Sequence, residues 1–416
     1  MKREFEYWYP VNLRVSGKDL VPNHLTYYLY NHTAIWENDP TKWPQGIRAN
    51  GHLLLNSEKM SKSTGNFMTL SEAIDRFSAD GMRLALADSG DSVEDANFVV
   101  SVADAGILRL FTFVEWVKEM LKEDEAQLRG SEENTFHDKV FDAEMNQLMR
   151  QTETNFEKML FREGLRTGFF EMQGVRDKYR ELCGSAGMSK RLVRKFVEWQ
   201  AVALSPVCPH VSDYIWRKLL GNPQSVFQAG WPNVPVAQSD EAIFIKSSEY
   251  LMEAARDFRL KLKSSSQPAK AKKGQGAPTP AAKPTHATLY VAKTYPPWQS
   301  AVLSTLKSMY EASSEGAPDN KQISVELGKN ADLKKFMKKV MPFVAFTKER
   351  IGAVGMSALD LTLDFDELRV LEDNIDYLIN TLALEGVDVK YSSEAAEKVQ
   401  EECRPGNPFI VFRYCN

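Results

Sequence analysis

The feature that most restricts the fold of this chain is the long stretch 101–263, in which apolar residues recur at helical spacing almost throughout. One stripe, with steps of three and four residues, consists of Ile107, Leu108, Phe111, Val114, Val117 and Leu121. This is the spacing of one face of an amphipathic helix, so we interpret the stripe as core-facing. No convincing strand pattern interrupts the stretch. The sequence therefore predicts an α-helical bundle over 101–263.

Residues 1–100 combine strand and helix patterns. Alternating apolar residues predict strands over 12–16 and 51–56. Between them, Pro22 can open a helix, because it lacks the N–H that the first helical turn leaves unused. The second strand runs into a polar loop, 57–66, after which helical spacing returns. This order of elements predicts an α/β domain.

Residues 264–284 are rich in Ser, Pro, Gly, Ala and Lys. Such a segment buries too little apolar surface to offset its ordering entropy, so we interpret it as a flexible linker. Beyond it, strand patterns at 287–292 and 387–391 flank helical ones, which predicts a small α+β domain over 285–416. The predicted fold class is therefore α/β plus mostly α, followed by this α+β domain.

Composition restricts the possible partners and compartment. The 416 residues include 52 Lys and Arg against 56 Asp and Glu, a formal charge of −4, so a nucleic-acid surface must be a local patch. Four cysteines without a CxxC pair favour a reducing compartment over a zinc knuckle or a disulfide framework. No signal peptide or spanning run of about 20 apolar residues is present. We expect a cytoplasmic protein without membrane contact and without a metal site that the sequence reveals.

The sharpest chemical signal is residues 58–66, Glu-Lys-Met-Ser-Lys-Ser-Thr-Gly-Asn, directly after a predicted strand. The ammonium groups of Lys59 and Lys62, with hydroxyl and backbone N–H donors beside them, can close over a polyphosphate. They can then neutralise charge that develops on a leaving group. The lysine spacing alone leaves a solvated basic turn or a kinase target open.

A second candidate site lies upstream, where Gly17, Asp19 and His24 fit the pattern GxDxxxxH at a predicted strand-to-helix junction. A carboxylate there can accept hydrogen bonds from two ribose hydroxyls, and glycine lets the backbone approach a nucleoside. Taken alone, the residues also fit a helix-capping aspartate and a packed helix histidine. The order of the two motifs favours a nucleotide site.

Both motifs resemble those of class I aminoacyl-tRNA synthetases, in which the adenosine-binding GxDxxxxH precedes KMSKS, here complete at 59–63. We refer to residues 57–66 as the KMSKS loop. Segments 10–24, 48–58 and 80–98 look like the eukaryotic cytosolic leucyl-tRNA synthetases. Valyl or isoleucyl specificity is the alternative within the class. Nothing in the chemistry of these loops selects leucine, so that step rests on the resemblance alone.

The resemblance extends over essentially the whole chain and implies its architecture. Residues 1–100 would be the C-terminal part of a class I Rossmann-type catalytic domain. Residues 101–263 would be an α-helical anticodon-binding-type domain, and 264–284 the linker. Residues 285–416 would be a C-terminal domain, truncated at its end, that binds tRNA or a partner.

The resemblance also implies a reaction, in which ATP, accompanied by Mg2+, activates leucine for transfer to tRNA(Leu). Lys59 and Lys62 would be catalytic, stabilising developing phosphate charge, and Asp19 would hold the ATP ribose. The nucleotide-binding residues that it implies are Gly17, Asp19, His24, Ser61, Ser63, Gly65 and Asn66. Other synthetases, in a multienzyme complex, are further implied partners.

Part of the family pattern is missing from the sequence. The other class I hallmark, HIGH, occurs nowhere, and the editing insertion expected before Lys2 is absent. We therefore expect a carboxyl-terminal portion of a longer protein with negligible adenylation on its own, because a half-site supplies only part of the preorganised positive field. The alternative from another class is a non-catalytic module that binds tRNA or protein partners.

Two further strings resemble the same family. Residues 80–83, Asp-Gly-Met-Arg, resemble its GADxxR segment, and we expect Arg83 to brace the KMSKS loop from a helix. Residues 205–216 resemble a string of its helical domain, in which His210 is structural and not a base.

Two basic clusters are candidates for binding tRNA. Their members are Lys334, Lys335, Lys338 and Lys339 in a predicted helix over 333–340, and Arg162 and Arg166 one turn apart in the bundle. Ammonium groups on one helix side suit phosphate contacts whose affinity falls with salt. A solvated amphipathic face is the alternative for both clusters.

Overall fold

The computed structural model describes residues 1–122, 128–130, 134–265, 283–312 and 318–414. The chain forms two compact units, Met1–Ala237 and Gln238–Asn416. The predicted linker, 264–284, lies mostly outside the described residues. None of the described helices combines the length and the hydrophobicity that crossing a bilayer requires.

The strands of the first unit are short. They are β1 (Arg14–Gly17), β2 (Ile47–Asn50), β3 (Leu53–Leu55), β4 (Glu58–Lys59) and β5 (Ala96–Phe98). β1 pairs with β2 in parallel, while β3 lies between the antiparallel β4 and the parallel β5. The predicted strands at 12–16 and 51–56 are confirmed as β1 and β3 with shifted ends. β2, β4 and β5 went unpredicted, because two to four residues are too few to show a period.

The helices of the first unit surround these strands and then continue alone. They are α1 (Lys2–Trp8), α2 (Thr26–Ile35), α3 (Leu70–Ser89), α4 (Val100–Met120), α5 (Phe136–Glu157), α6 (Phe161–Leu165), α7 (Met172–Cys183), α8 (Lys190–Leu204) and α9 (Pro209–Tyr214). In the described part of 101–237 the only β pairing is an isolated bridge between Arg129 and Ser189. The predicted helical bundle is therefore confirmed for this part of the chain.

The bundle core is aromatic, and it corrects the predicted stripe of α4. Phe113 is buried and its ring meets those of Phe169 and Phe196 edge to face. Leu108 and Phe111, predicted to face the core, are 64% and 62% exposed. Both residues fit a helical stripe, but the neighbouring helices cover a face rotated away from them.

A buried polar network fixes the start of α5. The Arg129 guanidinium lies 2.6 Å from the Asp138 carboxylate, which also accepts a hydrogen bond from the Tyr179 hydroxyl. Burial opposes ionisation of Asp138, but the hydrogen bonds from Arg129, Tyr179 and the Thr135 backbone outweigh it, so its pKa lies below the ordinary value. The network ties the segment 128–130 to α7.

The second unit has a mixed three-stranded sheet, as predicted for an α+β domain. Its strands are β6 (His286–Val291), β7 (Gly386–Tyr391) and β8 (Phe409–Arg413), with β6 in the centre, parallel to β7 and antiparallel to β8. Its helices are α10 (Ser239–Ser265), α11 (Pro297–Ala312), α12 (Asn320–Gly328), α13 (Met337–Val354), α14 (Glu367–Glu372), α15 (Ile375–Leu382) and α16 (Glu397–Glu402).

The boundary between the units differs from the prediction. The predicted bundle extends to 263, yet α10 packs against α14 and α15 and belongs to the second unit. Its buried apolar residues are Tyr250, Leu251, Ala254, Ala255 and Phe258. Helical periodicity shows that a helix has an apolar face but not which core that face contacts.

Candidate active site

The KMSKS loop consists of a tight hairpin followed by a turn. β4 returns antiparallel along β3, so that Lys59 lies opposite Leu54. The Ser61 N–H then donates a 2.9 Å hydrogen bond to the Asn66 carbonyl and closes the turn. Gly65, inside this turn, has a φ of 73°, a left-handed conformation that glycine adopts without steric cost.

Asn66 anchors the loop to the sheet. Its side-chain amide lies within hydrogen-bond distance of the carbonyl oxygens of Leu55 (3.3 Å), Glu58 (3.4 Å) and Lys59 (3.3 Å). The Ser61 and Ser63 hydroxyls lie 2.8 Å apart. The loop therefore has a defined backbone, and its serine hydroxyls hydrogen-bond to each other.

Both lysines of the loop point their charge towards solvent. Lys59 and Lys62 are exposed, and within the described ranges neither ammonium group has an ion-pair partner. Lys59 is held on β4, whereas Lys62 sits in the turn. Two unpaired ammonium groups on one short loop create a local positive potential. An anionic ligand can bind them without first displacing a carboxylate from an ion pair.

The GxD part of the second motif lies where β1 ends. Gly17 is the last residue of β1 and Asp19 lies in the single turn Lys18–Leu20 that follows. A Cβ at Gly17 would come within 2.6 Å of the Asp19 carboxylate, so a larger residue would displace that carboxylate. Asp19 Oδ1 is 3.7 Å from His52 Nε2 and otherwise faces solvent.

Three residues beside Asp19 were not found from the sequence. Lys18 Nζ lies 2.6 Å from Asp95 Oδ1, which also accepts a 2.9 Å hydrogen bond from the His52 N–H. The hydrogen bond from Lys18, followed by that from His52, holds the pKa of Asp95 below its ordinary value. Lys18 and His52 lie next to motif or strand residues in the sequence, but only the folded chain shows that they converge on Asp95.

The fold brings the two motifs near each other, although β1 and β3 belong to different sheets. His52, which contacts Asp19, directly precedes β3, and Lys59 pairs with Leu54 on that strand. With a rise of about 3.3 Å per residue and about 4.8 Å between strands, the Cα atoms of His52 and Lys59 are about 8 Å apart.

Family models match most of the chain. Residues 1–106 match "tRNA synthetases class I (M)", 138–273 match "Anticodon-binding domain of tRNA ligase", and 291–364 match "Leucine--tRNA ligase, RagD-binding domain". A cytoplasmic leucine–tRNA ligase of Pongo abelii is 58% identical over 99% of this chain. The chain belongs to the leucyl-tRNA synthetase family.

The relatives are longer proteins. The chain covers 34% of the Pongo abelii protein and 39% of a cytoplasmic leucine–tRNA ligase of Arabidopsis thaliana, to which it is 40% identical over 99% of its own length. It thus spans little more than a third of the curated relatives it matches. Among solved structures, the chain is similar to an Agrobacterium radiobacter K84 leucyl-tRNA synthetase in a ternary complex with tRNA and LeuAMS. The matched region includes 64% of this chain and 37% of that protein, with 17% identity and a TM-score of 0.46.

His24 is the least constrained motif residue of this leucyl-tRNA synthetase chain. It lies in an irregular turn, Val21–Leu25, that leads into α2. Its side chain is exposed, and in the described part of the chain only its backbone N–H makes a contact, with the Asn23 side chain. A role in the nucleotide site stays a prediction.

The predicted arginine pair in the bundle is unequal. Arg166 lies 2.7 Å from Glu163 and also contacts Glu171, so its charge is already matched by two carboxylates. Arg162 is exposed, its backbone N–H donates to the Asp91 carboxylate, and among the described residues its guanidinium has no ion-pair partner. A phosphate must compete with two local partners at Arg166 but not at Arg162.

The predicted helix over 333–340 is not continuous, which corrects the lysine row. Lys334 and Lys335 lie in a tighter turn, Ala331–Phe336, and α13 begins only after Phe336, whose φ and ψ of −108° and 6° interrupt the helix. The four lysines are exposed but do not share a regular helix side. Lys339 also pairs with Glu401 at 3.2 Å.

The prediction that Arg83 contacts and braces the KMSKS loop is wrong, because Arg83 contacts the helical bundle instead. Arg83 donates hydrogen bonds of 2.8 Å to the carbonyl oxygens of Pro206 and Val207, in the bundle. His210 has an exposed side chain, and its contact is made by the backbone N–H, to Asp80. These partners lie more than a hundred residues apart in sequence, where no local pattern can reveal them.

Proposed function

We propose that this chain carries the KMSKS side of the active site of a leucine–tRNA ligase, in which ATP activates leucine for transfer to tRNA(Leu). The observation that carries the proposal is the pair of exposed, unpaired lysines, Lys59 and Lys62, on a loop that Asn66 anchors beside the Asp19 junction. The identity to cytoplasmic leucine–tRNA ligases supports the substrates and a cytoplasmic location. In this proposal residues 1–100 are the C-terminal part of a Rossmann-type catalytic domain.

The geometry fits the charge that the reaction develops. The leucine carboxylate attacks the α-phosphate of ATP, the bond to the β-phosphate breaks, and pyrophosphate leaves with added negative charge. Lys62, in the turn of the loop, and Lys59, on its strand, neutralise that charge, and Asp19 accepts hydrogen bonds from the ribose. In the second step a terminal ribose hydroxyl of tRNA loses its proton and attacks the leucyl carbonyl of the adenylate, the bond between that carbonyl and the phosphate breaks, and AMP leaves.

Magnesium enters this scheme with the nucleotide. In the described part of the chain, no group of three His, Cys, Asp or Glu side chains could hold a metal ion. We propose that Mg2+ enters the site bound to the phosphates of ATP.

The proposal is tested by measuring binding of Mg-ATP to the 416-residue chain. We expect Lys59→Ala and Lys62→Ala each to weaken binding about tenfold, since one partly screened charge pair contributes on the order of 1 kcal/mol or slightly more. Lys158→Ala, at an exposed lysine after α5, is the matched control. Equal affinities for all three variants and the unaltered chain would remove the loop from the nucleotide site.

The same preparation tests whether the chain is catalytic alone. We expect no leucine-dependent pyrophosphate exchange above background, because HIGH is not among the 416 residues. Exchange at an ordinary synthetase rate would show that the lysine loop and the Asp19 junction suffice.

The tRNA surface is proposed on the exposed lysines before and at the start of α13. Lys335→Ala combined with Lys338→Ala should weaken tRNA binding. The slope of log affinity against log salt concentration should become shallower by the contribution of about two phosphate contacts. Lys390→Ala, at an exposed lysine of β7 outside this cluster, is the control. An unchanged affinity and salt slope would exclude these lysines.

A second candidate function is protein binding by the second unit. It is favoured by the match of 291–364 to a family model described as a RagD-binding domain. The matched range includes all four lysines, so a protein and tRNA are rival ligands for the same residues. The two candidates are separated by competition: tRNA should displace a protein bound to these lysines only if both ligands use them.

A further inference from the structure

The helix that follows the KMSKS loop is bent, and its second half contacts two cores. Within α3, Ser78 has a φ of 63° and a ψ of 165°, and its hydroxyl accepts a 3.2 Å hydrogen bond from the Gly81 N–H. The first half places Phe77 in the core around β3, whereas the second half adds Ala85 to that core and Leu84 to the bundle core. Ser78 thus begins a second helix segment with its own cap.

The second half of α3 is clamped to the bundle by two charged side chains. Asp80, 3% exposed, accepts hydrogen bonds from the N–H groups of Val211 (2.6 Å) and His210 (3.4 Å) at the start of α9. Arg83 donates to the carbonyl oxygens of Pro206 and Val207. Hydrogen bonds to ionised groups are stronger than neutral ones, so residues 206–211 and this half of α3 move together.

The first half of α3 is linked to the loop. The rings of Phe77 and Phe98 are 5.6 Å apart, and both residues pack in one cluster with Leu55 of β3. The Leu55 carbonyl is one of the acceptors that hold the Asn66 side chain. Three residues after Asn66, the capping box of Thr69 and Glu72 begins α3. Packing therefore continues from Phe77 to the anchor of the loop.

We propose that Asp80 and Arg83 are positioning residues that couple the helical bundle to the lysines of the KMSKS loop, with Ser78 as the hinge. Neither residue touches the nucleotide. A ligand that shifts residues 206–211, such as a tRNA bound to the bundle, changes the angle at Ser78 and with it the placement of Lys59 and Lys62. The catalytic consequence rests on the proposed function, but the mechanical coupling does not.

The coupling is tested by hydrogen exchange of loop peptides in the complete 416-residue chain. Asp80→Ala and Arg83→Met should each speed exchange of the loop amides at least about tenfold. This is the size of effect expected when one or two hydrogen bonds to charged groups are lost. The matched control is Asp142→Ala, which removes the 2.7 Å hydrogen bond that Asp142 of α5 accepts from the Lys195 ammonium group of α8, away from residues 206–211. It should leave the loop unchanged.

Conservative variants separate positioning from general loss of structure. Arg83→Lys keeps the charge and one donor and should restore part of the loop protection. Ser78→Gly removes the hydroxyl cap without changing either clamp, and it should also speed exchange in the loop. If Asp80→Ala does not fold, Arg83→Met and Ser78→Gly decide the question. Loop exchange equal to that of the unaltered chain in both of these variants would overturn the proposal.

Adding Mg-ATP to the unaltered chain distinguishes this proposal from the nucleotide site. If the variants speed loop exchange but ATP never slows it, the coupling stands and the nucleotide proposal fails. If ATP protects the loop but Asp80→Ala and Arg83→Met, both folded, leave its exchange unchanged, the coupling fails and the nucleotide site stands.

Discussion

A buried carboxyl group in the second unit makes its stability depend on pH near neutrality. Glu367, on α14, is 7% exposed. Its Oε1 accepts a 2.6 Å hydrogen bond from the Tyr250 hydroxyl of α10, and its Oε2 accepts a 3.3 Å bond from the Gly406 N–H. Burial raises the pKa of Glu367 to about 7, although both hydrogen bonds lower it. The perturbation we consider is Glu367→Gln, which resembles the protonated carboxyl group at every pH.

The expected size follows from the difference between the folded and unfolded pKa. The folded value of about 7 is above the ordinary 4.5, so the stabilisation is fully present below pH 4.5 and is lost as pH rises through 7. A difference of about 2.5 units corresponds to about 3.4 kcal/mol, of which about 2.5 kcal/mol falls between roughly pH 5 and pH 8. The glutamine variant should lack this slope, since it has no proton to lose.

Hydrogen exchange of peptides from α10 and α14 in the complete chain measures this effect, once the intrinsic pH dependence of exchange is removed. The opening free energy of the unaltered chain should fall by about 2.5 kcal/mol between roughly pH 5 and pH 8, while that of Glu367→Gln stays nearly level. Glu349→Gln, at an exposed glutamate of α13, is the control and should keep the slope. Parallel slopes for Glu367→Gln and the unaltered chain would refute the assignment.

Three further changes test the rest of the structure. Asp138→Ala leaves the buried Arg129 charge without its carboxylate and should lower the free energy of unfolding by about 3–5 kcal/mol in urea. In the unaltered chain the contribution of Asp138, whose pKa is lowered, should be present above about pH 4 and disappear below it. Asn66→Ala removes the anchor of the KMSKS loop and should speed its amide exchange about tenfold, without changing exchange in the bundle. Phe113→Ala should cost about 3–5 kcal/mol, whereas Phe111→Ala, at an exposed position, should change stability by less than about 0.5 kcal/mol; equal costs would contradict the buried face of α4.

The sequence by itself determined the features that are local. The helical period of 101–237, the strands that became β1 and β3, and the polar KMSKS loop between a strand and a helix could all be read before the structure. Each depends on residues within a few positions of one another, whose spacing is fixed by the geometry of one element. The place of Gly17 beside Asp19 is of the same kind, because the close approach arises inside a single turn.

Only the tertiary structure decided which faces and partners those elements use. The predicted stripe of α4 placed Phe111 in the core and did not include Phe113, but the packing of α5, α7 and α8 buries Phe113 and leaves Phe111 exposed. Likewise Arg83 found carbonyl groups 123 and 124 residues away. The physical reason is that a side chain's partner is set by how whole elements dock, and docking depends on contacts distant in sequence that no short pattern records.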